Sequence, residues 1–274
     1  MTSRLRARLA EAGFPVARAT ALSRRAESST WSVDVIGGDR VKVRVFRRTV
    51  DADRVEQALA SGAPGLLVMR ARLGRALVTE FVDGQTLDRY LKGARSAERR
   101  ALVRATGRLL ARLHQATAAR RRTPSATPHR ALLVRMAGRL KGLSLLNDHD
   151  AERVRSLEAP TRVTLAWTHG DPAPENLVVT APGRLRIIDE ERLALRPVAF
   201  DLARAVNRWP LTPALERELM RGYRDAGGRV AEFSGDARLF WLAATLATSI
   251  AYRLIYSPRD VPALATRLAR LVRA

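Results

Sequence analysis

The chain has 274 residues, 46% apolar and 28% charged: enough for one large domain or two lobes, and too hydrophobic for wholesale disorder. It contains no cysteine, which excludes disulfides, thiolate nucleophiles, cysteine zinc sites and iron–sulfur ligation and fits a reducing cytoplasm. The net charge of +22 invites a nucleic-acid or membrane reading, but only Lys42, Lys92 and Lys141 are lysines, so the arginine excess reads as a coding bias over the whole chain. The excess is uneven. Residues 91–141 hold fourteen basic side chains against Glu98 alone, a local charge of +13, and such a run is ordinarily a solvated face.

The arginine-punctuated N-terminus, MTSRLRARLAEAGFPVARATALSRR, lacks the apolar segment of a signal peptide, and the chain has a basic helical start. WSVDVIGGDRVKVRVF then reads as a hairpin turning at Gly37, Gly38 and Asp39, with Val41, Val43 and Val45 on one face and Lys42 and Arg44 on the other. Asp51 or Asp53 is expected to cap a short helix that Gly62 ends, and residues 76–82 a strand before a turn at Asp83 and Gly84. Beyond it the pattern is helical. Leu102, Leu109 and Leu113 repeat with Thr106 between them, beside a stripe of Arg100, Arg104, Arg108 and Arg112. The breaker cluster TPSATPH precedes another basic helix ending near Leu146, and further helices fall around 213–226 and 236–255. The uncharged run at 239–252 is shorter than a bilayer span and reads as a buried helix. Strands first, helices after, with a strand pair near 177–189, predict an α+β fold of two unequal lobes, residues 1–82 and 83–274.

The stretch WTHGDPAPENLVV puts His169, Gly170, Asp171 and Asn176 close together, and LVVTAPGRLRIID continues as two strands about Ala181, Pro182 and Gly183. Antiparallel pairing about Pro182 sets Asn176 opposite Ile188, beside Asp189. Hard oxygen donors without cysteine suit magnesium better than zinc. One carboxylate and one amide leave coordination positions for substrate phosphates, while a second carboxylate can take the proton of an attacking hydroxyl. These are the parts of a phosphoryl-transfer site.

HGDPAPEN followed by IIDEE resembles the catalytic loop and metal-binding segment of the aminoglycoside phosphotransferase and choline kinase superfamily, relatives of the protein kinases. Hairpin, glutamate-bearing helix, connecting strand, helices, motif, second hairpin and FDLA follow in that order over nearly the whole chain. The resemblance implies a two-lobed protein-kinase-like fold, with a small β-rich nucleotide lobe and a larger helical catalytic lobe. It implies Asp171 as catalytic base or hydroxyl-orienting group, and Asn176 and Asp189 as magnesium ligands. His169 would support the loop by hydrogen bonding. Glu191 would meet a second metal or the acceptor, with a solvated acidic turn at Glu190 and Glu191 as the plain alternative. Asp201 would hold the catalytic loop through backbone hydrogen bonds, or cap the helix after it.

In the first lobe the resemblance implies a strand lysine paired with a helix glutamate to grip the nucleotide phosphates. Lys42 with Glu56 fits best and Arg44 is the alternative; the bland reading of either is a solvent-facing strand residue. TEFVDG resembles the hinge, with backbone groups of Glu80 and Val82 on the adenine edge and Thr79 as gatekeeper. No G-x-G-x-x-G is present; SRRAESSTW stands in its place, where Ser28, Ser29 and Thr30 offer hydroxyls and amides. The expected cofactors are ATP, with GTP as alternative, and Mg2+. His114 reads as core packing, and His129 and His149 as histidines without partners.

The expected activity is a cytoplasmic kinase moving a γ-phosphate to a hydroxyl of a small molecule. The basic 91–141 block favours an anionic or neutral acceptor over a polycation. It also admits lipopolysaccharide core sugars, with peripheral contact to an anionic membrane surface. The reading from another class is a non-catalytic nucleic-acid-binding or scaffold protein; 5% aromatics and no nucleic-acid module weigh against a stable nucleic-acid partner.

Overall fold

A computed structural model of the chain describes residues 1–24, 27–121, 126–181, 183–209 and 211–273, with 119–121 described by their backbone. Arg25 and Ala26 of SRRAESSTW, residues 123–125 of the breaker cluster and Pro182 of the hairpin turn lie outside the described residues. In chain order the elements are α1 (Ser3–Glu11), β1 (Val16–Arg24), β2 (Ser28–Val35), β3 (Arg40–Phe46), α2 (Thr49–Ala60), β4 (Met69–Leu73), β5 (Ala76–Glu80), β6 (Gln85–Thr86) and α3 (Leu87–Gly93). Then come α4 (Ser96–Thr117), β7 (Ala119–Arg121), α5 (Thr127–Gly142), α6 (Asp148–Arg155), β8 (Val163–Thr168), β9 (Leu177–Ala181), β10 (Arg184–Ile187), β11 (Ala194–Pro197), α7 (Val198–Arg208), α8 (Pro213–Asp225), α9 (Gly235–Tyr256) and α10 (Val261–Arg273). They gather into two compact units, Met1–Ser96 with Glu175–Ala194, and Ala97–Pro174 with Leu195–Ala274.

The first unit is built on an antiparallel sheet in the order β1-β2-β3-β5-β4. Alternation gives β3 two different faces. Val41 and Val43 join Val33, Ala76, Val78 and Leu9 of α1 in a buried cluster, each large member stabilising by roughly 1.5–3 kcal/mol on full burial. On the other face, register sets Thr30 beside Arg44 and Leu77, and Ser32 beside Lys42 and Thr79, so polar side chains line up across three strands. Lys42 and Arg44 are only 8% and 3% exposed, which overturns the solvent-facing alternative for both.

Neither Asp51 nor Asp53 caps α2. The helix starts at Thr49 behind Arg48, so Asp51 falls in the first turn, favourable to the helix dipole, and Asp53 pairs with Arg72. Gly62, at φ +62°, does end it. The strand expected to reach Val82 stops at Glu80. A small sheet, β10-β9-β6, completes the unit. Because β6 pairs with β9, the segments 83–96 and 175–194 fall in this first unit, and the division does not follow the boundary expected at residue 83. Gly84 belongs to that contact: a Cβ there would stand 2.4 Å from the Val179 carbonyl oxygen.

The second unit is mostly helical around α9, whose Phe240, Trp241, Leu242, Leu246 and Ile250 are buried, together with a three-stranded sheet in the order β11-β8-β7. By length and composition α9, 22 residues, is long and apolar enough to cross a membrane, with half of its most apolar window buried inside the protein; the shorter uncharged run 239–252 lies within it as the buried helical stretch expected. α4 and α8 approach so closely that a Cβ on Gly107 would stand 2.0 Å from the Leu219 carbonyl oxygen, and one on Gly222 2.0 Å from that of Arg104. His129, expected without a partner, packs against the rings of Phe200 at 5.0 Å and Trp241 at 5.2 Å. Burial, reinforced by Arg196, lowers its pKa to about 4.

Candidate active site

In the first unit a cavity of about 220 Å³ is lined by Thr30, Lys42 and Arg44 from the polar face of the sheet, by Glu80, Phe81 and Val82 after β5, and by Asn176, Ile188 and Asp189 from the small sheet. Leu22 and Leu67 add apolar wall. The Ile188 N–H donates to the Asn176 carbonyl at 2.9 Å, so the strand pair joins as its pattern predicts, Asn176 opposite Ile188 and next to Asp189. The Thr30 hydroxyl is buried without a hydrogen-bond partner among the described residues, an orphaned polar group facing this cavity. Glu80 has work of its own: its carboxylate accepts the Val68 N–H at 2.7 Å and pairs with Arg186.

The segment after β10 carries three successive carboxylates. Asp189 sits in the left-handed region at φ +64°, and Glu190 to Arg192 form one turn of 3-10 helix. Arg44 donates to Asp189 at 2.5 Å and to Glu191 at 2.8 Å; Ser28 donates to Glu191 at 2.9 Å. Lys42 donates to Glu190 at 2.5 Å. Burial alone would raise the Glu190 carboxyl, but Lys42 and Arg44 outweigh it and hold it below the usual carboxylate range. The acidic pair is therefore a buried ionic network, and the solvated-turn alternative falls.

The expected Lys42–Glu56 pair is corrected as well. Glu56 binds Arg72 instead, the same guanidinium that binds Asp53. Helix α2 presents Arg54 to the acidic segment, donating to the Leu193 carbonyl at 2.7 Å and the Glu191 carbonyl at 3.0 Å. Among the described residues no group of three or more His, Asp or Glu is arranged to hold a metal. One carboxylate and one amide, Asp189 and Asn176 on the same cavity wall, are nevertheless the hard oxygen donors that magnesium takes alongside phosphate and water.

In the second unit, β8 delivers the chain to His169, Gly170 and Asp171, and α7 holds that loop along one helical face. The Asp201 carboxylate, fully buried, accepts the His169 N–H at 2.7 Å and the Gly170 N–H at 2.6 Å. Helix α7 begins at Val198, so Asp201 lies inside it and does not cap it. Burial pushes the Asp201 carboxyl up, yet His114, through its hydrogen bond above all, with His169 and the Gly170 N–H, prevails and lowers it. His114 is buried as expected, with Nε2 at 3.2 Å from Asp201 and Nδ1 at 3.0 Å from the Tyr223 hydroxyl.

Three loop-holding residues escape the motif reading. Arg204 donates to Asp171 at 2.8 Å and to the Gly170 carbonyl at 3.2 Å. Arg208 pairs with Asp171 at 3.3 Å, and the Trp209 indole donates to the Pro172 carbonyl at 2.8 Å. For Arg204 and Arg208 the spacing from Asp201 is the signal that could have found them, since positions three and seven along a helix share its face; Trp209 follows where α7 ends.

Solved structures of similar fold span nearly the whole chain. The macrolide 2'-phosphotransferase MphH from Brachybacterium faecium superposes with a TM-score of 0.66 at 17% identity, covering 99% of this chain and 98% of its own. A gentamicin complex of APH(2")-IIa gives 0.65 at 16%, covering 98% and 96%. An ADP-bound APH(2'')-Ib gives 0.62 at 16%, covering 100% and 97%. No curated protein matches the sequence. These likenesses establish the fold, the mixed α+β kinase-like architecture of small-molecule phosphotransferases. The model of the phosphotransferase enzyme family, APH, matches residues 3–233, and the chain belongs to that family.

Proposed function

We propose that this phosphotransferase moves the γ-phosphate of ATP to a hydroxyl group of a small molecule in the cytoplasm. The observation that supports this most is the single cavity where Lys42, Arg44 and the partnerless Thr30 hydroxyl meet the oxygen donors Asn176 and Asp189 and the backbone after β5. Lys42 and Arg44 bind the nucleotide phosphates, Thr30 donates to them, and the chain from Glu80 to Val82 meets the base. GTP is the alternative nucleotide. Asn176 and Asp189 hold magnesium, which neutralises charge on the phosphates when bound.

Asp171 orients the acceptor hydroxyl and takes its proton as the new oxygen–phosphorus bond forms and the bond to the nucleoside diphosphate breaks. Arg204 and Arg208 fix the direction of its carboxylate, and Asp201 fixes the loop backbone, so the geometry is set before the acceptor arrives. The two guanidiniums around Asp171 favour a neutral or anionic acceptor over a polycation. Pro172 and Pro174, flanking Ala173 between Asp171 and Asn176, lower the entropy lost in holding the two residues.

The experiment is a screen of ATP consumption with the purified protein and magnesium across sugars, amino alcohols, antibiotics and core saccharides, repeated with Asp171→Ala. Consumption that depends on one acceptor and disappears in the variant is expected. Acceptor-dependent turnover that survives in Asp171→Ala removes the catalytic assignment.

A further inference from the structure

Resting on the nucleotide-site reading above, we infer that Glu190, from the acidic segment after β10, and not Glu56 of α2, positions Lys42 for the phosphates. A buried ammonium on a flexible four-carbon stem needs a fixed counter-charge to stay both charged and aimed. Lys42 has one at 2.5 Å, and the side chains of Lys42 and Glu190 are 9% and 2% exposed. Glu56 is engaged elsewhere, half-buried against Arg72.

The supporting helix has changed its contribution accordingly. Where a glutamate from α2 would reach into the cavity, α2 instead sends Arg54 to the backbone carbonyls of Glu191 and Leu193. The helix thus holds the acidic segment, and that segment holds the strand cations: Glu190 takes Lys42, while Arg44 spans Asp189 and Glu191. Lys42 is bound on one side by Glu190 and keeps its remaining N–H donors for phosphate oxygens. Seating of the acidic segment and assembly of the phosphate grip become one event, with Glu190 as the shared member.

The test uses the full-length protein and measures ATP affinity, with magnesium and again in EDTA, for wild type, Glu190→Gln, Glu190→Asp, Glu56→Gln, Lys42→Ala and the double variant Lys42→Ala/Glu190→Gln. Melting curves accompany each. Glu190→Gln is expected to weaken ATP binding at least tenfold in both conditions, Glu190→Asp by less, and Glu56→Gln by less than twofold. The double variant is expected to bind no more weakly than Lys42→Ala, because the two residues act as one unit. Should Glu190→Gln not fold, Glu190→Asp carries the same comparison against Glu56→Gln.

Wild-type binding of ATP with no loss in either Glu190 variant overturns the inference and leaves the nucleotide reading standing. So does a loss seen only with magnesium, which makes Glu190 a metal ligand, or a loss in Glu56→Gln that matches Lys42→Ala. A wild-type protein that binds no ATP overturns the nucleotide reading and the inference with it.

Discussion

Two sets of buried carboxylates, one in each unit, are matched in opposite ways. In the first, Asp189, Glu190 and Glu191 are matched by the side chains of Lys42, Arg44 and Ser28. In the second, Asp201 is matched largely by backbone N–H groups, those of His169 and Gly170, with His114 behind them. Cationic side chains carry several donors, so the first network can keep its carboxylates and still offer N–H groups to another anion. Backbone partners cannot leave without unmaking the loop, so the second is scaffolding. The comparison teaches that burial and charge alone do not mark a catalytic carboxylate; the nature of its partners does.

The sharpest challenge to this contrast lies on the one loop. Asp171→Asn is expected to lower turnover by on the order of 10²- to 10⁴-fold in a steady-state assay, since it removes a proton acceptor from the reaction. Its melting temperature is expected to fall less than that of Asp201→Ala, because the amide oxygen can still accept from Arg204 although the charge opposite Arg204 and Arg208 is lost. Asp201→Ala should act through folding: two backbone donors and His114 lose a buried acceptor, at a cost of about 3–5 kcal/mol in denaturant unfolding. If Asp201→Ala keeps wild-type stability and loses only turnover, the distinction between site and scaffold collapses.

Smaller effects refine the picture of the second unit. Gly222→Ala is expected to cost about 1–3 kcal/mol, because its new methyl meets the Arg104 carbonyl and helix α8 must shift; urea melts measure this. The smallest effect concerns acid. His129 resists protonation in the fold, with a pKa of about 4 against 6.5, so below pH 6.5 the unfolded chain binds the extra proton. Stability is therefore expected to fall progressively from about pH 6.5 to about pH 4, and His129→Phe to flatten that limb of the profile. Asp201 adds to acid lability lower down: its depressed carboxyl contributes above its unfolded value near 3.8 and loses that contribution as pH drops through its folded one. A His129→Phe profile that keeps the wild-type slope between pH 6.5 and 4 assigns that slope to other groups.

What was legible in the sequence was local or periodic. The two-residue alternation of β3 separated Val41 and Val43 from Lys42 and Arg44, and the turn chemistry around Gly183 set Asn176 opposite Ile188. HGDPAPEN and FDLA brought out the loop and its buried aspartate. The partners were not legible, because Lys42 and Glu190 are 148 positions apart and nothing in either neighbourhood names the other. The Glu56 pairing failed for the same reason: its competitor Arg72 lies on a different strand. Arg204 and Arg208 were within reach of helical spacing once Asp201 was placed. So was α10, whose buried Val261, Ala265, Leu268 and Val272 repeat at that spacing.

The glycine contact between α4 and α8 has a consequence for how sequences of this fold diverge. Gly107 and Gly222 each face a carbonyl of the opposite helix with no room for a methyl group, so neither can enlarge alone without driving the backbones apart. His114 lies two turns along from Gly107 and touches Tyr223, the residue after Gly222, so a displaced helix drags the partner of Asp201 with it. A lineage that kept the His169–Asp171 loop as it is would keep both glycines, however far its surface drifted.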